Sequence, residues 1–278
     1  MTPPPDFQIF TTLRYDPILL TIPTITSPSL THAGWNYTTP SSLYMLSHHR
    51  DRLLSAASHF NWHQVITLLT NSNAITHLSQ TITSQIPDPS SPARVRVSVS
   101  PEGNLTVTAA KIPPTPLTNL FPKSLPSPGN TTPTAGSSGN EVFEVLVDSE
   151  QRISPSEYTH YKTTKREMYD AARKRKGISL TDKKEVLILD AREPEGEVME
   201  GSITTPYFWR EGRWVTPRVR EEDGGSWEGG QDGTSRRWAL ESGIVSEGKV
   251  LADSLVDGEE CWLSNGARGF FLGRVRLG

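Results

Sequence analysis

This sequence of 278 residues lacks several features that would assign it to a class at once. Its single cysteine, Cys261, excludes an internal disulfide and cannot by itself build a cysteine-based metal site. No apolar run approaches the roughly 20 residues that a membrane-spanning helix needs. The first residues, Met1-Thr-Pro-Pro-Pro5, lack the basic and apolar regions of a signal peptide. We therefore expect a soluble, intracellular protein that resides in the cytoplasm and has no membrane partner.

An excess of positive charge is also missing. The formal net charge is −3, which gives no reason to expect nucleic acid as a partner. Charge is scarce in residues 1–140, which hold 7 Lys and Arg and 5 Asp and Glu, against 21 and 26 in residues 141–278. The first part is rich in serine, threonine and proline instead. Two parts of different composition predict two domains, and 35% hydrophobic residues suffice for a buried core.

Periodicity predicts helices and strands in both parts of the chain. Alternation predicts strands, helical spacing of apolar residues predicts helices, and residues rich in Pro, Ser and Thr predict loops. In the first part the strands are 7–15, 94–100 and 105–108, the helices 42–59 and 62–85, and the loop 16–40. In the second part the helices are 164–176 and 234–242, and the strands 142–147, 185–190, 198–200, 204–210, 213–216, 261–263 and 270–276.

A proline-rich stretch separates the two parts. Residues 113–140 carry seven prolines among Ser, Thr and Gly, and cannot bury enough apolar surface to offset the entropy of ordering. We predict a small α+β domain over 1–117, a mobile interdomain loop over 118–140, above all at 124–140, and a large domain over 141–278.

Two residues have types that could carry catalysis, and each has a plainer interpretation. Lys162 stands just before Thr164-Lys-Arg-Glu167, which fits a helix capping box. A lysine at such a strand-to-helix junction could be desolvated and nucleophilic, or it could be one more cation of a basic helix. Glu200 ends a predicted strand. It is either a turn carboxylate or a group that keeps a proton on a heterocyclic nitrogen.

Two further features could bind an anion. Gly233-Thr234-Ser235 opens the helix predicted over 234–242, where small and hydroxyl residues serve first as caps. Free backbone N–H groups and the helix dipole at such a start also favour phosphate. Arg52 lies on the first predicted helix, and its plainer interpretation is a solvated helical face. None of these features is decisive alone, whereas their order along the chain is informative.

That order resembles the class IV aminotransferase family, fold type IV, whose enzymes use pyridoxal 5′-phosphate (PLP). Within the family, the aminodeoxychorismate lyase branch resembles the sequence most. The matching stretches follow the family's order along nearly the whole chain: Phe10-Thr-Thr-Leu-Arg14, His49-x-x-Arg52-Leu53, His160-Tyr-Lys-Thr-Thr-Lys-Arg166, Tyr169-Asp-Ala-Ala-Arg173, Glu197-Val-Met-Glu-Gly-Ser-Ile-Thr204, Gly212-Arg-Trp-Val-Thr-Pro217, Asp232-Gly-Thr-Ser-Arg236 and Leu263-Ser-Asn265.

The resemblance implies roles for these residues. Lys162 corresponds to the lysine that forms a Schiff base with PLP, and Glu200 to the carboxylate partner of the pyridine nitrogen. The implied cofactor-binding residues, most of them at the phosphate, are Arg52, Lys162, Glu200, Gly233, Thr234, Ser235 and Asn265. The candidate substrate-binding residues are Thr12, Arg14 and Arg96, the arginines because the lyase substrate carries two carboxylates.

The resemblance leaves the reaction open between two possibilities. The first is a lyase that splits 4-amino-4-deoxychorismate into 4-aminobenzoate and pyruvate, in folate biosynthesis. The alternative is a transaminase for an amine or amino acid with a keto-acid acceptor, such as an (R)-selective amine or D-amino-acid transaminase. A catalytically silent PLP-binding protein of the same fold is a third possibility. The complete set of lysine, glutamate and phosphate-binding residues argues against it.

The resemblance also implies an architecture. We expect two α+β domains with PLP between them, a homodimer, and a small-molecule amine as substrate. The sequence departs from the family pattern in three places. The family's usual N-terminal strands are absent before Phe10, so we expect a shortened small domain. Thr205-Pro-Tyr207 replaces the usual Asn-Leu-Phe, and residues 124–140 form an insertion at the mouth of the expected active site.

Overall fold

The computed structural model describes residues 6–26, 29–130, 142–192, 195–221 and 227–277. The chain divides into two compact units, Met1–Leu117 with Tyr161–Lys165, and Thr118–His160 with Arg166–Gly278. The segment Tyr161–Lys165 belongs to the first unit although it lies far along the chain, which a division of the sequence into consecutive domains cannot anticipate. Among the described residues, no helix is long and apolar enough to cross a membrane.

The first unit combines a small antiparallel sheet with a group of helices. The sheet has the order β1 (Ile9–Tyr15), β2 (Ala93–Val99), β3 (Leu105–Lys111). The helices are α1 (Trp35–Thr38), α2 (Leu46–His59), α3 (His63–Thr70) and α4 (Ala74–Thr83). The buried residues of α2, among them Leu46, His49 and Leu53, recur every three or four positions. They form the face by which α2 packs against β1.

Several predicted boundaries in this unit move for local reasons. The helix predicted from Ser42 begins at Leu46, because Met45 has φ +52, which a right-handed helix does not allow. The helix predicted over 62–85 is two helices, broken at Asn71–Asn73, where asparagine side chains compete for backbone hydrogen bonds. The loop predicted over 16–40 contains α1 and two 3-10 helices, Pro17–Thr24 and Thr31–Ala33.

The second unit is built on a mixed sheet of eight strands. These are β4 (Phe143–Val147), β5 (Lys184–Asp190), β6 (Glu197–Gly201), β7 (Thr205–Arg210), β8 (Arg213–Pro217), β11 (Ser246–Gly248), β12 (Glu260–Asn265) and β13 (Gly269–Arg276), with β9 (Arg220–Glu221) and β10 (Trp227–Glu228) forming a separate ribbon. The order of the eight strands in the sheet is β11-β8-β7-β12-β13-β4-β5-β6. Its helices are α6 (Glu157–His160), α7 (Glu167–Arg175) and α8 (Thr234–Glu241), and the short α5 (Leu117–Leu120) begins at the unit boundary.

The sheet of the second unit is covered on both faces. In β5, Leu187 and Leu189 belong to one buried cluster, whereas Val186 and Ile188 belong to a second one, which includes Tyr169 of α7. A strand buried on both faces carries a continuous apolar run rather than an alternating one, as residues 186–189 do. Helices and strands occur in both units, which confirms the predicted α+β class.

The capping box predicted at Thr164 is wrong. Helix α7 begins only at Glu167, with Arg166 as its cap residue. The hydroxyl of Thr164 instead accepts a hydrogen bond from the backbone N–H of Gln8 at 3.0 Å, and the Thr164 N–H donates to the Gln8 carbonyl at 2.9 Å. Thr164 is therefore committed to strand-like pairing in the first unit and cannot open a helix.

The described part of the loop predicted over 118–140, residues 118–130, contributes buried side chains to the second unit. Thr118 and the residues after it belong to the second unit. Leu120, Phe121 and Leu125 are buried, and the indole N–H of Trp214 donates to the Leu125 carbonyl at 3.0 Å. These apolar residues between the prolines fix the segment. The rest of the predicted loop, 131–140, lies outside the described residues.

Candidate active site

Lys162 lies in an extended segment beside β1 and not at the start of a helix. The Phe10 N–H donates to the Lys162 carbonyl at 2.9 Å, and Ile9 pairs with Thr163 in an antiparallel bridge. This pairing sets Lys162 opposite Phe10, so that both side chains share one face. The Lys162 Nζ lies 5.0 Å from the centre of the Phe10 ring. The backbone pairing with β1 therefore fixes the position of the lysine.

Two of the candidate substrate-binding residues share this face. Side chains alternate along a strand, so Thr12 points to the same face as Phe10. The β1–β2 register sets Thr12 opposite Arg96. The Arg96 guanidinium carbon lies 3.8 Å from the centre of the same Phe10 ring. The structure thus gathers Thr12, Arg96 and Lys162 around Phe10, with two cations at one ring.

Arg14, the third candidate substrate-binding residue, has a different environment. It is 1% exposed, and its Nε donates to a carboxylate oxygen of Asp16 at 2.8 Å. A second guanidinium nitrogen donates to the Pro113 carbonyl at 2.9 Å. A buried arginine that already has a buried carboxylate partner is the poorer ligand for a substrate carboxylate. Arg96 is therefore the stronger candidate of the two.

Arg52 contacts β1 from α2. One of its guanidinium nitrogens donates to the Thr11 hydroxyl, which also forms a hydrogen bond with Nδ1 of His49 at 2.6 Å. Thr11 alternates with Thr12 and therefore points to the opposite face of the sheet. His49 and Arg52 are three positions apart on one helix, so both reach the same hydroxyl. The sequence contained His49 only as part of a motif and gave it no role.

Glu200 lies on β6 in the second unit and is 7% exposed. Its Oε1 accepts a hydrogen bond from the hydroxyl of Tyr169, on α7, at 2.5 Å. Burial and the negative charge of Glu200 raise the pKa of Tyr169 well above its ordinary value, so the phenol stays protonated and acts as the donor. From the sequence Tyr169 was assigned no role, although it lies in one of the matching stretches.

The turn that follows Glu200 is held by a buried carboxylate. Glu185, which is 1% exposed, accepts hydrogen bonds from backbone N–H groups and hydroxyls of residues 202–204 at 2.5 to 3.2 Å. Arg173 lies 3.6 Å from the same carboxylate and donates to the Ser202 hydroxyl at 2.8 Å. Neither Glu185 nor Arg173 was given a role from the sequence. Together they fix the backbone next to Glu200.

The start of α8 has the chemistry of an anion site. Its cap residue, Gly233, has no side chain with which to accept from the first N–H groups of the helix. Thr234 and Ser235 follow and are both buried. The Ser235 hydroxyl forms a 2.8 Å hydrogen bond with that of Ser264, next to Asn265. Asn265 itself accepts from two backbone N–H groups of the turn after β12, so its side chain shapes that turn.

Gly230 lies against the Glu200 carboxylate and shortly before the start of α8. A Cβ atom at this position would lie 2.4 Å from Oε1 of Glu200, so only glycine fits. Gly230 precedes Gly233 by three residues, which puts the carboxylate close to the start of α8. PLP has a cationic ring nitrogen at one end and an anionic phosphate at the other. A buried carboxylate beside a helix N-terminus fits both ends of that molecule.

The chain belongs to the class IV amino-transferase family, whose model matches residues 37–272. Members of this family are PLP-dependent enzymes. The membership agrees with the family predicted from the order of the sequence motifs.

Individual relatives support the same conclusion. The aminodeoxychorismate lyase of Saccharomyces cerevisiae is 30% identical over 150 residues, which are 48% of this chain and 37% of that enzyme. The match thus spans little more than a third of the curated relative. The branched-chain amino acid aminotransferase of Escherichia coli has a TM-score of 0.58 at 17% identity, with 98% of this chain and 78% of that one covered. The 4-amino-4-deoxychorismate lyase of Pseudomonas aeruginosa has a TM-score of 0.56 at 15% identity, with 97% and 83% covered. These structures share the fold, which confirms the predicted fold type.

Proposed function

We propose that this enzyme holds PLP on Lys162 and cleaves 4-amino-4-deoxychorismate into 4-aminobenzoate and pyruvate. The observation that carries the reaction is the 30% identity to the yeast aminodeoxychorismate lyase over 150 residues. The arrangement of Arg96 and Lys162 at the Phe10 ring supports the proposal, because the substrate carries carboxylates that a guanidinium binds well. The homodimer and the cytoplasmic location expected from the sequence remain part of the proposal.

In this proposal the cofactor contacts are divided among the named side chains. Lys162 would hold PLP covalently through its ε-amino group, and the Glu200 carboxylate would pair with the ring nitrogen. The helix start at Thr234 and Ser235 would bind the phosphate, with Asn265 on the adjoining turn, and Arg52 would reach it from the other face of β1. When bound, PLP supplies an electron sink for the negative charge that develops at the carbon bearing the amine.

Lys162 and Glu200 would control the protons of the reaction. The ε-amino group of Lys162 would accept the proton from the carbon bearing the amine. Glu200 keeps the ring nitrogen protonated, because an adjacent carboxylate favours the cationic form. Arg96 orients the substrate by a charge-assisted hydrogen bond to a carboxylate. Thr12 lies opposite Arg96 in the sheet, and its hydroxyl would contact the same substrate carboxylate.

The proposed reaction has a direct test. The purified enzyme, reconstituted with PLP, is added to 4-amino-4-deoxychorismate generated in place, and the products are measured. We expect 4-aminobenzoate and pyruvate in equal amounts. Parallel incubations offer an (R)-amine or a D-amino acid with pyruvate. Alanine formed there, without 4-aminobenzoate in the first reaction, would identify a transaminase. PLP binding without either reaction would favour a catalytically silent protein.

Phosphate binding can be tested separately from catalysis. Arg52→Ala should weaken PLP binding by a factor on the order of 10 to 100, because a hydrogen bond to a charged group contributes about 1.5–3 kcal/mol. The double change Thr234→Ala with Ser235→Ala should act in the same direction. Titration of the apoenzyme with PLP, followed by absorbance, measures both effects.

Arg50→Ala is the matched control for phosphate binding. Arg50 lies on the same helix, and its guanidinium pairs with Asp51 at 2.8 Å. We expect this variant to titrate with PLP like the parent. If Arg52→Ala and the double variant also titrate like the parent, the phosphate is bound elsewhere.

A further inference from the structure

Tyr169 makes a direct side-chain contact with Glu200. Its ring is 1% exposed, and its hydroxyl lies 2.5 Å from Oε1 of Glu200. The same hydroxyl lies 3.4 Å from the Thr159 carbonyl. A phenol has one proton to donate, and the short contact to an ionised carboxylate is the stronger of the two. The proton of Tyr169 is therefore directed at Glu200.

The Tyr169 oxygen also links Glu200 to the loop before α8. The side chain of Gln231 is a further polar neighbour of the phenol and lowers the pKa of Tyr169, as an amide N–H directed at the phenol oxygen does. Gln231 stands two residues before Gly233, the cap of the helix that opens with Thr234. One hydroxyl thus joins the carboxylate to the segment that leads into the proposed phosphate site.

We propose that Tyr169 is a positioning residue that fixes the orientation and the ionised state of the Glu200 carboxylate for the ring nitrogen of PLP. This inference rests on the proposed function and deepens it. It assigns to α7 a role in the electronics of the reaction, although Tyr169 itself does not take part in the chemistry.

Different neighbours hold the backbone next to Glu200 and the side chain of Glu200. Glu185 and Arg173 fix the turn after Glu200, as described above. The backbone of Gly230 packs against the Glu200 carboxylate from one side, where a Cβ atom would lie only 2.4 Å from Oε1. The Arg166 guanidinium lies 4.8 Å from the centre of the Tyr169 ring. Among these neighbours Tyr169 donates a hydrogen bond to the Glu200 carboxylate itself, and a hydrogen bond to the ionised form of a carboxylate favours that form.

The test compares two ligands on Tyr169→Phe, a change that keeps the buried ring and removes the hydroxyl. The ligands are PLP and its carbocyclic analogue, in which carbon replaces the ring nitrogen. Both are titrated into the apoenzyme and followed by absorbance. We expect Tyr169→Phe to bind PLP more weakly than the parent by a factor on the order of ten. The analogue should bind to both proteins equally, because it offers no nitrogen to Glu200.

Tyr15→Phe is the matched control. Tyr15 is also buried, and its hydroxyl donates to the Pro89 carbonyl at 3.0 Å. It should bind both ligands as the parent does. If Tyr169→Phe binds PLP like the parent, or loses PLP and the analogue equally because the fold is damaged, the inference is overturned. A parent protein that binds no PLP would instead overturn the proposed function, so the two failures are distinguishable.

Discussion

Lys162→Ala should reduce turnover by a factor on the order of 10²–10⁴, the contribution of a positioned general base, and should also abolish covalent attachment of PLP. The alanine variant should still fold, because β1 pairs with the backbone of residue 162 and not with its side chain. Steady-state rates with the substrate that the parent enzyme uses, together with the circular dichroism of both proteins, measure this effect.

Lys165→Ala is the control for Lys162. Lys165 lies in the same short segment, and its amino group pairs with Asp6 at 2.9 Å. An ion pair between solvent-exposed groups contributes little, so we expect normal turnover. A Lys162→Ala variant that turns over like the Lys165→Ala variant would remove the basis of the proposed chemistry.

Glu200→Gln should lower kcat by a factor on the order of 10²–10³, or about 3–4 kcal/mol for a lost preorganised electrostatic contact. Glutamine preserves size and hydrogen bonding but removes the charge that keeps the ring nitrogen protonated. PLP should still attach to Lys162, so the loss should appear in kcat. If Glu200 were an ordinary turn residue, the change would alter stability by about 0.5 kcal/mol and leave the rate unaffected.

Glu197→Gln provides the comparison for Glu200. Glu197 begins the same strand, is buried to the same extent, and lies 3.8 Å from Lys249. Its substitution should leave kcat unchanged. If Glu200→Gln keeps the parent's turnover, the proposed role of Glu200 is wrong. The site would then lack a group that keeps the ring nitrogen of PLP protonated.

The sequence predicted the elements whose patterns are local. The hairpin of β2 and β3, the core strand β5 and helix α8 lie within a few residues of their predicted bounds, because alternation, a continuous apolar run and a glycine at the helix start are each contained in a short window. The family and its fold followed from the order of motifs, which requires no knowledge of packing.

The environment of Lys162 could not be predicted in this way. A capping box at Thr164 is a sound local pattern, but Thr164 pairs with Gln8, about 150 residues earlier in the chain. Pairing over such a distance overrides local preference, and one sequence alone does not show it. The same pairing assigns residues 161–165 to the first unit.

The immediate neighbours of Glu200 were missed for a similar reason. Tyr169, Glu185 and Gly230 come from three separate segments, and they meet at Glu200 or at the turn beside it only in the folded second unit. Apart from the family match at Tyr169, no local sequence pattern near these residues indicates a role in catalysis. A buried tyrosine on an apolar helix face predicts core packing first, and only the 2.5 Å contact identifies its partner.

Every proposed step depends on the attachment of PLP to Lys162. Reduction with borohydride fixes the cofactor to the lysine that carries it and so identifies that lysine. The protein is loaded with PLP, reduced, digested, and its peptides are mapped by mass spectrometry. We expect a yellow protein before reduction and, after it, one labelled peptide with the modification on Lys162. A label on a different lysine, or no PLP absorbance after reconstitution, would contradict the attachment of PLP to Lys162.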